Sequence, residues 1–194
     1  MIRRIGWIPL CLALAACGHH TDSRSAEQVV ALMKASYAAT QVYRDKGVVF
    51  TDEPMPWTIF KSLSGIRSLD HFSTELDRRR DAMSFVFQSV RMTGTPAEMQ
   101  GRLAAIKPLS KGETSYAPSM LLGVSPQWSR LVRSEDDSVH GALCYVVHAT
   151  DQRGIESTLW IEKKRFVIRR VRQKVPFEPR PYVKTFDYQK VETQ

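Results

Sequence analysis

Hydrophobic spacing along the chain changes period several times, and each change marks an element. Ile5 to Ala16 is an apolar run, whereas Gly18 to Arg24 has no apolar side chain. Helical spacing begins next. In AEQVVALMKASYAAT, preceded by Ser25 as a cap, Val29, Val30, Met33 and Tyr37 recur every three or four residues, which predicts one amphipathic helix. From Gln41 the period drops to two. QVYRDKGVVF, WTIFKSL, DHFSTELDR and AMSFVFQSV read as the strands of a meander, with DEPMP as a turn. The middle is helical again: TPAEMQGRLAAIKPL has Thr95 as N-cap, Pro96 at the first helical position and Met99, Leu103 and Ile106 on one side. SYAPSMLLGVSP follows as a second short apolar piece. Five further strands, SRLVRSED, GALCYVVHAT, ESTLWIEK, RFVIRRVRQKV and YVKTFDYQKV, are separated by DDSVHG, DQRG, KKR and PFEPRP.

This order predicts a mainly β fold with helices (α+β), built on a strongly curved antiparallel sheet or half-open β-barrel covered by helices. Alternation sorts the strand side chains into faces. Phe72, Thr74 and Leu76 share one face and Ser73, Glu75 and Asp77 the other; Met83, Phe85 and Phe87 oppose Ser84, Val86 and Gln88. Tyr145 with Val147, Leu159 with Ile161, and Phe186 with Tyr188 continue the apolar face. Phe72, Leu76, Met83, Phe85, Phe87, Tyr145, Val147, Leu159 and Ile161 are therefore the expected lining of a hollow. Met99, Leu103, Ile106, Met120, Leu121 and Leu122 are its expected lid, methionine suiting variable ligands. The same residues also fit an ordinary filled core. Trp160 has the parity opposite to Leu159 and Ile161, which leaves its side of the sheet open.

The N-terminus changes the picture. Arg3 and Arg4 precede an apolar run of twelve residues, which as a helix spans roughly 18 Å against the ~30 Å hydrocarbon core. Residues 1–16 therefore read as an export signal rather than a spanning helix. Leu14-Ala15-Ala16-Cys17 matches the bacterial lipobox, where cleavage falls just before a lipidated cysteine; ordinary cleavage after Ala13-Leu14-Ala15 is the alternative. Cys17 is then the acylated first residue, 17–24 a lipidated tether and 25–194 a single domain. Two or three acyl chains, at roughly 0.8 kcal/mol per buried methylene, anchor such a chain to a membrane. The expected location is the bacterial cell envelope. Gly18 after the cysteine, by resemblance to the enteric sorting rule, points to the outer membrane, facing the periplasm.

Charge and candidate chemistry narrow the function. The formal net charge is +8, and removing Arg3 and Arg4 leaves the excess basic. That suits anionic headgroups or an envelope partner, while no motif points to nucleic acid. With Cys11 in the signal and Cys17 acylated, Cys144 has no partner for a disulfide. The chain has no G-x-S-x-G, H-E-x-x-H, S-x-x-K, P-loop or paired C-x-x-C, so no catalytic residue and no cofactor is expected. His140, Cys144 and His148 invite a metal, yet Cys144 and His148 on a strand lie ~13 Å apart, too far to share one zinc ion. No metal site is assigned.

FSTELDRRRDAMSFVF, the helical insert ending APSMLLG, and CYVVHATDQRGIESTLWIEKKRFVIRRV give the chain a resemblance to the LolA and LolB lipoprotein carriers and related outer-membrane lipoprotein-sorting proteins. That resemblance implies a half-open barrel whose hollow binds acyl chains beneath a helical lid. The chain departs from the family where Arg79 stands in place of a proline after Arg78, so the carriers' headgroup and lid contacts are not carried over. The expected function is a membrane-anchored envelope lipoprotein that holds a lipid, or the lipid moiety of another protein, in the hollow. The alternative is a non-catalytic interaction or assembly module with a filled core, presenting KKR and RRVRQK to an envelope protein.

Cys17→Ala should abolish incorporation of a tagged fatty acid in metabolic labelling and leave a precursor or a soluble product. Equal labelling of the variant and the wild type would remove the lipoprotein assignment.

Overall fold

The computed structural model describes residues 22–53, 66–87, 90–105, 116–124, 126–176 and 181–194. Cys17, Ile106 and the expected strand WTIFKSL lie outside the described residues.

Helix α1 (Ala26–Ala39) starts at a capping box: Ser25 Oγ accepts from Gln28 N–H while the Gln28 side chain accepts from Ser25 N–H. Its buried stripe is Ala26, Val29, Val30, Met33 and Tyr37, the side the spacing selects. Strands β1 (Val42–Glu53), β2 (Ile66–Asp77), β3 (Ala82–Phe87) and β4 (Val90–Gly94) follow. The run AMSFVFQSV, expected as one strand, holds the end of β3 and the start of β4, because an apolar pattern alone does not show where a chain reverses. Helix α2 (Pro96–Ala105) has its own reciprocal cap between Thr95 and Glu98, and α3 (Tyr116–Leu121) is short.

The second half supplies β5 (Trp128–Arg133), β6 (Asp137–Val139), β7 (Ala142–Asp151), β8 (Glu156–Glu162), β9 (Ile168–Val175) and β10 (Tyr182–Thr193). DDSVHG, expected as a separator, contains β6 and a two-residue hairpin loop. His140 and Gly141 both have positive φ, 50° and 76°, as the favoured tight hairpin turn requires.

The strands form one antiparallel sheet in the order β4-β3-β2-β1-β10-β9-β8-β7-β5, with β6 also on β7. Among the described residues it does not close into a barrel. Register brings the apolar positions onto one face: Leu76 opposes Met83, Val49 opposes Phe186, Phe186 opposes Val171, and Leu159 opposes both Val171 and Val147. Helix α1 covers this face, and its Tyr37 hydroxyl accepts from Ile168 N–H at 3.1 Å. Arg78 fastens the helical layer from below, donating to Thr40 O (3.0 Å) at the end of α1 and to Leu121 O (2.7 Å) at the end of α3. No helix among the described residues is long and apolar enough to cross a membrane.

The β1–β10 ladder shifts register between Lys46 and Gly47. Gly47 sits between Phe72 and Tyr188 on the neighbouring strands, and the Phe72 ring lies across it to meet Tyr188 edge-on at 4.9 Å. A Cβ at Gly47 would overlap both that ring and the Asp187 carbonyl. Gly47→Ala should therefore lower stability by about 3 kcal/mol, seen as a lower urea midpoint at an unchanged slope. A wild-type midpoint would show that the bulge yields without loss.

Candidate functional site

The helix-covered face gathers most of the residues singled out from the sequence. Phe72, Leu76, Met83, Val147, Leu159 and Ile161 belong to one buried cluster with Met99, Met120, Leu121 and Leu122 of the helical layer. Leu103 is on α2 as expected. Aromatic contacts fill the centre, Phe72 meeting Phe186 at 6.0 Å as well as Tyr188.

Exposure is uneven across this face. Leu76, Leu159 and Ile161 are at most 1% exposed, but Phe85 and Phe87 are only partly buried. Their rings stack at 6.3 Å, and Met92 opposes Phe85 across β3 and β4. The β3–β4 edge, with α2 packed beside it, is thus where apolar side chains remain partly accessible. A hydrophobic guest meeting this face would first meet those three side chains.

Inside the same face lies a carboxylate that sequence reading passed over. Asp45 is 2% exposed, accepting from Tyr43 O–H (2.9 Å) and Thr74 N–H (2.7 Å). Burial pushes its carboxyl up to about 7, against the opposing pull of those two donors. The Tyr43 ring meets Tyr37 of α1 at 5.6 Å, and burial raises both hydroxyls above their usual range. In the sequence Asp45 reads as one acidic residue among the charges of YRDK; only its parity with Tyr43 and Val49 places it inside.

Tyr145 is buried in the same cluster, but its hydroxyl serves the N-terminal segment at the far end of the sheet. It bonds to the Asp22 carboxylate and accepts from Arg24 Nη1 (2.5 Å). Arg133 and Lys163 cations lie 4.9 and 4.8 Å from its ring centre, and Phe166 stacks on it at 5.9 Å. Arg133 Nη1 also donates to the carbonyls of Asp22 and Arg24 (2.6 and 2.5 Å). Residues 22–24, grouped with the tether in the sequence, are therefore fastened to β5 and β7. The Asp22 carboxyl is held below its ordinary value chiefly by the Tyr145 hydroxyl.

The remaining candidates have ordinary roles. Cys144 is buried with its thiol donating to Ala142 O (3.3 Å), and burial pushes that thiol up to about 11, unlike a nucleophile. His140 engages Asp187 at 2.8 Å and His148 engages Thr158 at 3.1 Å, so they do not converge with Cys144. Trp160 lies on the face away from the helices, donating to Asp137 Oδ2 (2.9 Å) beneath the Arg170 cation.

Asp45 gives the fold a pH dependence whose sign follows from its raised value. Below about pH 4 it is protonated folded and unfolded; between about 4 and 7 the unfolded chain ionises first, so the site's stability falls with rising pH, by ~4 kcal/mol in all. Asp45→Asn should gain on the wild type by about that much between pH 4 and 8 in parallel urea titrations. A difference that stays constant with pH would mean that Asp45 is ionised in the fold throughout.

No family model and no curated protein matches the chain. Among solved structures it is similar to a LolA superfamily protein from Nitrosomonas europaea, at 10% identity over 89% of this chain and 94% of that one, with a TM-score of 0.39. LprF from Mycobacterium bovis is similar at 11% identity over 84% of this chain and 92% of that one, with a TM-score of 0.39. The MucA/MucB complex structure from Pseudomonas aeruginosa matches at 12% identity over 87% of this chain and 56% of that one, with a TM-score of 0.40.

Proposed function

We propose that this chain is a lipid-anchored protein of the bacterial envelope, held at the outer membrane through Cys17 and facing the periplasm. It binds a hydrophobic or acyl-bearing ligand against the helix-covered face of its sheet. The observation that carries this reading is the graded exposure of that face: Phe85, Phe87 and Met92 are half-buried at the β3–β4 edge, and the apolar surface continues inward through Met83, Leu76 and Phe72. An acyl chain entering there trades water for apolar contact at ~0.8 kcal/mol per methylene. Met83, Met92, Met99 and Met120 supply unbranched, adaptable contacts along the path. Displacement of the helical layer would govern entry and release. The ligand is sequestered, and no bond is made or broken.

A second reading keeps the fold and drops the ligand: an envelope interaction module whose core is filled. What favours it is the near-complete burial of Leu76, Leu159 and Ile161, with Phe72 locked between Phe186 and Tyr188.

Binding of a lipophile, with one substitution as its control, separates the two. Under the carrier reading, Phe85→Glu should keep its circular dichroism spectrum and lose binding of a fluorescent fatty acid by at least about tenfold, because the new charge reaches water at the open edge. In a filled core the half-buried position would tolerate the same carboxylate, and neither the wild type nor the variant would bind the probe. A folded variant with undiminished binding, or a wild type that binds no lipophile, would count against the carrier.

A further inference from the structure

The face of the sheet away from the helices carries a shallow groove of about 420 Å³ over β5, β7, β8 and β9, bordered by Val183 of β10. Two cross-strand rows build it. One runs Arg172, Thr158, His148, Val132; the other runs Lys174, Glu156, Thr150, Arg130, each residue directly opposite the next. Arg130, Arg172 and Lys174 bring three cations, and among the described residues Glu156 is the single carboxylate in the lining, paired with Lys174 at 3.4 Å. The threonine hydroxyls between the cations add neutral hydrogen-bonding groups. A second concavity on the sheet, about 540 Å³ around Arg44, Glu75, Asp77, Arg80, Asp81 and Glu98, has more carboxylates than cations. The cationic bias is thus local to the groove.

Position supplies the second argument. The chain enters the described fold at Asp22, clamped by Tyr145 and Arg133. Tyr145 is three residues from His148 on β7, about 10 Å along the strand. The five steps from Cys17 to Asp22 span at most about 18 Å. Asp22 is held on the helix-covered side of β5 and β7, so an attachment ahead of it brings this edge of the sheet, rather than one face, close to the headgroups.

We infer that the groove formed by Arg130, His148, Arg172 and Lys174 binds the phosphate headgroups of an anionic lipid surface and so fixes how the domain lies on its membrane. Guanidinium groups take phosphate oxygens through two parallel N–H donors, and Lys174 adds a point charge. Contact at this face leaves the helical layer and the Phe85–Met92 edge turned away from the lipid, free to meet a ligand or a partner. The inference rests on the membrane attachment proposed above.

The test is lysine acetylation read by mass spectrometry on the full chain reconstituted into phosphatidylcholine vesicles with or without phosphatidylglycerol. Lys174 should react roughly fivefold more slowly in the anionic vesicles, Lys34 of α1 at the same rate in both, and the difference should vanish in high salt. R130E/R172E should restore Lys174 to its rate in neutral vesicles. Equal Lys174 rates on chain that sediments with both vesicle types would overturn the groove while leaving the attachment standing. Chain that sediments with neither would overturn both. Slowing of Lys174 in neutral vesicles by inorganic phosphate alone would overturn the lipid surface as the occupant.

Discussion

The pairing of β1 with β10 is what the rest of the structure depends on. Strands β1 to β4 form one side of the sheet in simple sequence order and β5 to β10 the other, and this single ladder joins them. It places Val49 opposite Phe186 and Gly47 opposite Tyr188, so the apolar side chains of both halves fall on one continuous face. A slip of one residue would turn the whole first half inside out. The register is held by the bulge at Lys46 and Gly47 and by the Phe72 ring lying over the glycine. The chain beyond each strand end is tied in as well, with Gln194 N–H donating to Val42 O while Gln194 O accepts from Gln41 and Val42 N–H.

The face this ladder creates holds two opposed tendencies. Its centre is packed and aromatic, which favours a single rigid arrangement. Its β3–β4 edge is looser, and a carboxylate sits inside it on two hydrogen bonds where a hydrocarbon side chain would pack with less penalty. A core selected for stability alone would not place Asp45 there. The buried acid and the half-open aromatic edge lie on the same first half of the sheet, the half covered by α2 rather than by α1 alone.

Much of the architecture was legible in the sequence because period and capping chemistry are local. Ser25 and Thr95 mark the starts of α1 and α2, and Phe72, Leu76, Met83, Leu159 and Ile161 fall on the buried face that strict alternation assigns. What was not legible depends on contacts distant in the chain. Asp45 is satisfied as a buried acid because Thr74, 29 residues away, meets it across the β1–β2 ladder while Tyr43 donates from two residues back on β1. Arg78 reads as one of three arginines in a turn, and its grip on two helix ends is set by where α1 and α3 arrive. Residues 22–24 have the composition of a free linker, yet Arg133, more than a hundred residues on, holds their backbone. The end of β3 at Phe87 was missed for a simpler reason, since no glycine or proline interrupts the run AMSFVFQSV.

Arg78 has a further consequence for how the helical layer can move. Its one guanidinium donates to the last carbonyls of both α1 and α3, so a cation sits at the negative poles of two helix dipoles at once. Gln100 of α2 in turn donates to Leu122 O (3.3 Å), just past the end of α3. The three helices therefore share their degrees of freedom: α3 cannot swing out without drawing on α1 through Arg78 and on α2 through Gln100. The layer is thus tied together as one plate rather than as three independent helices.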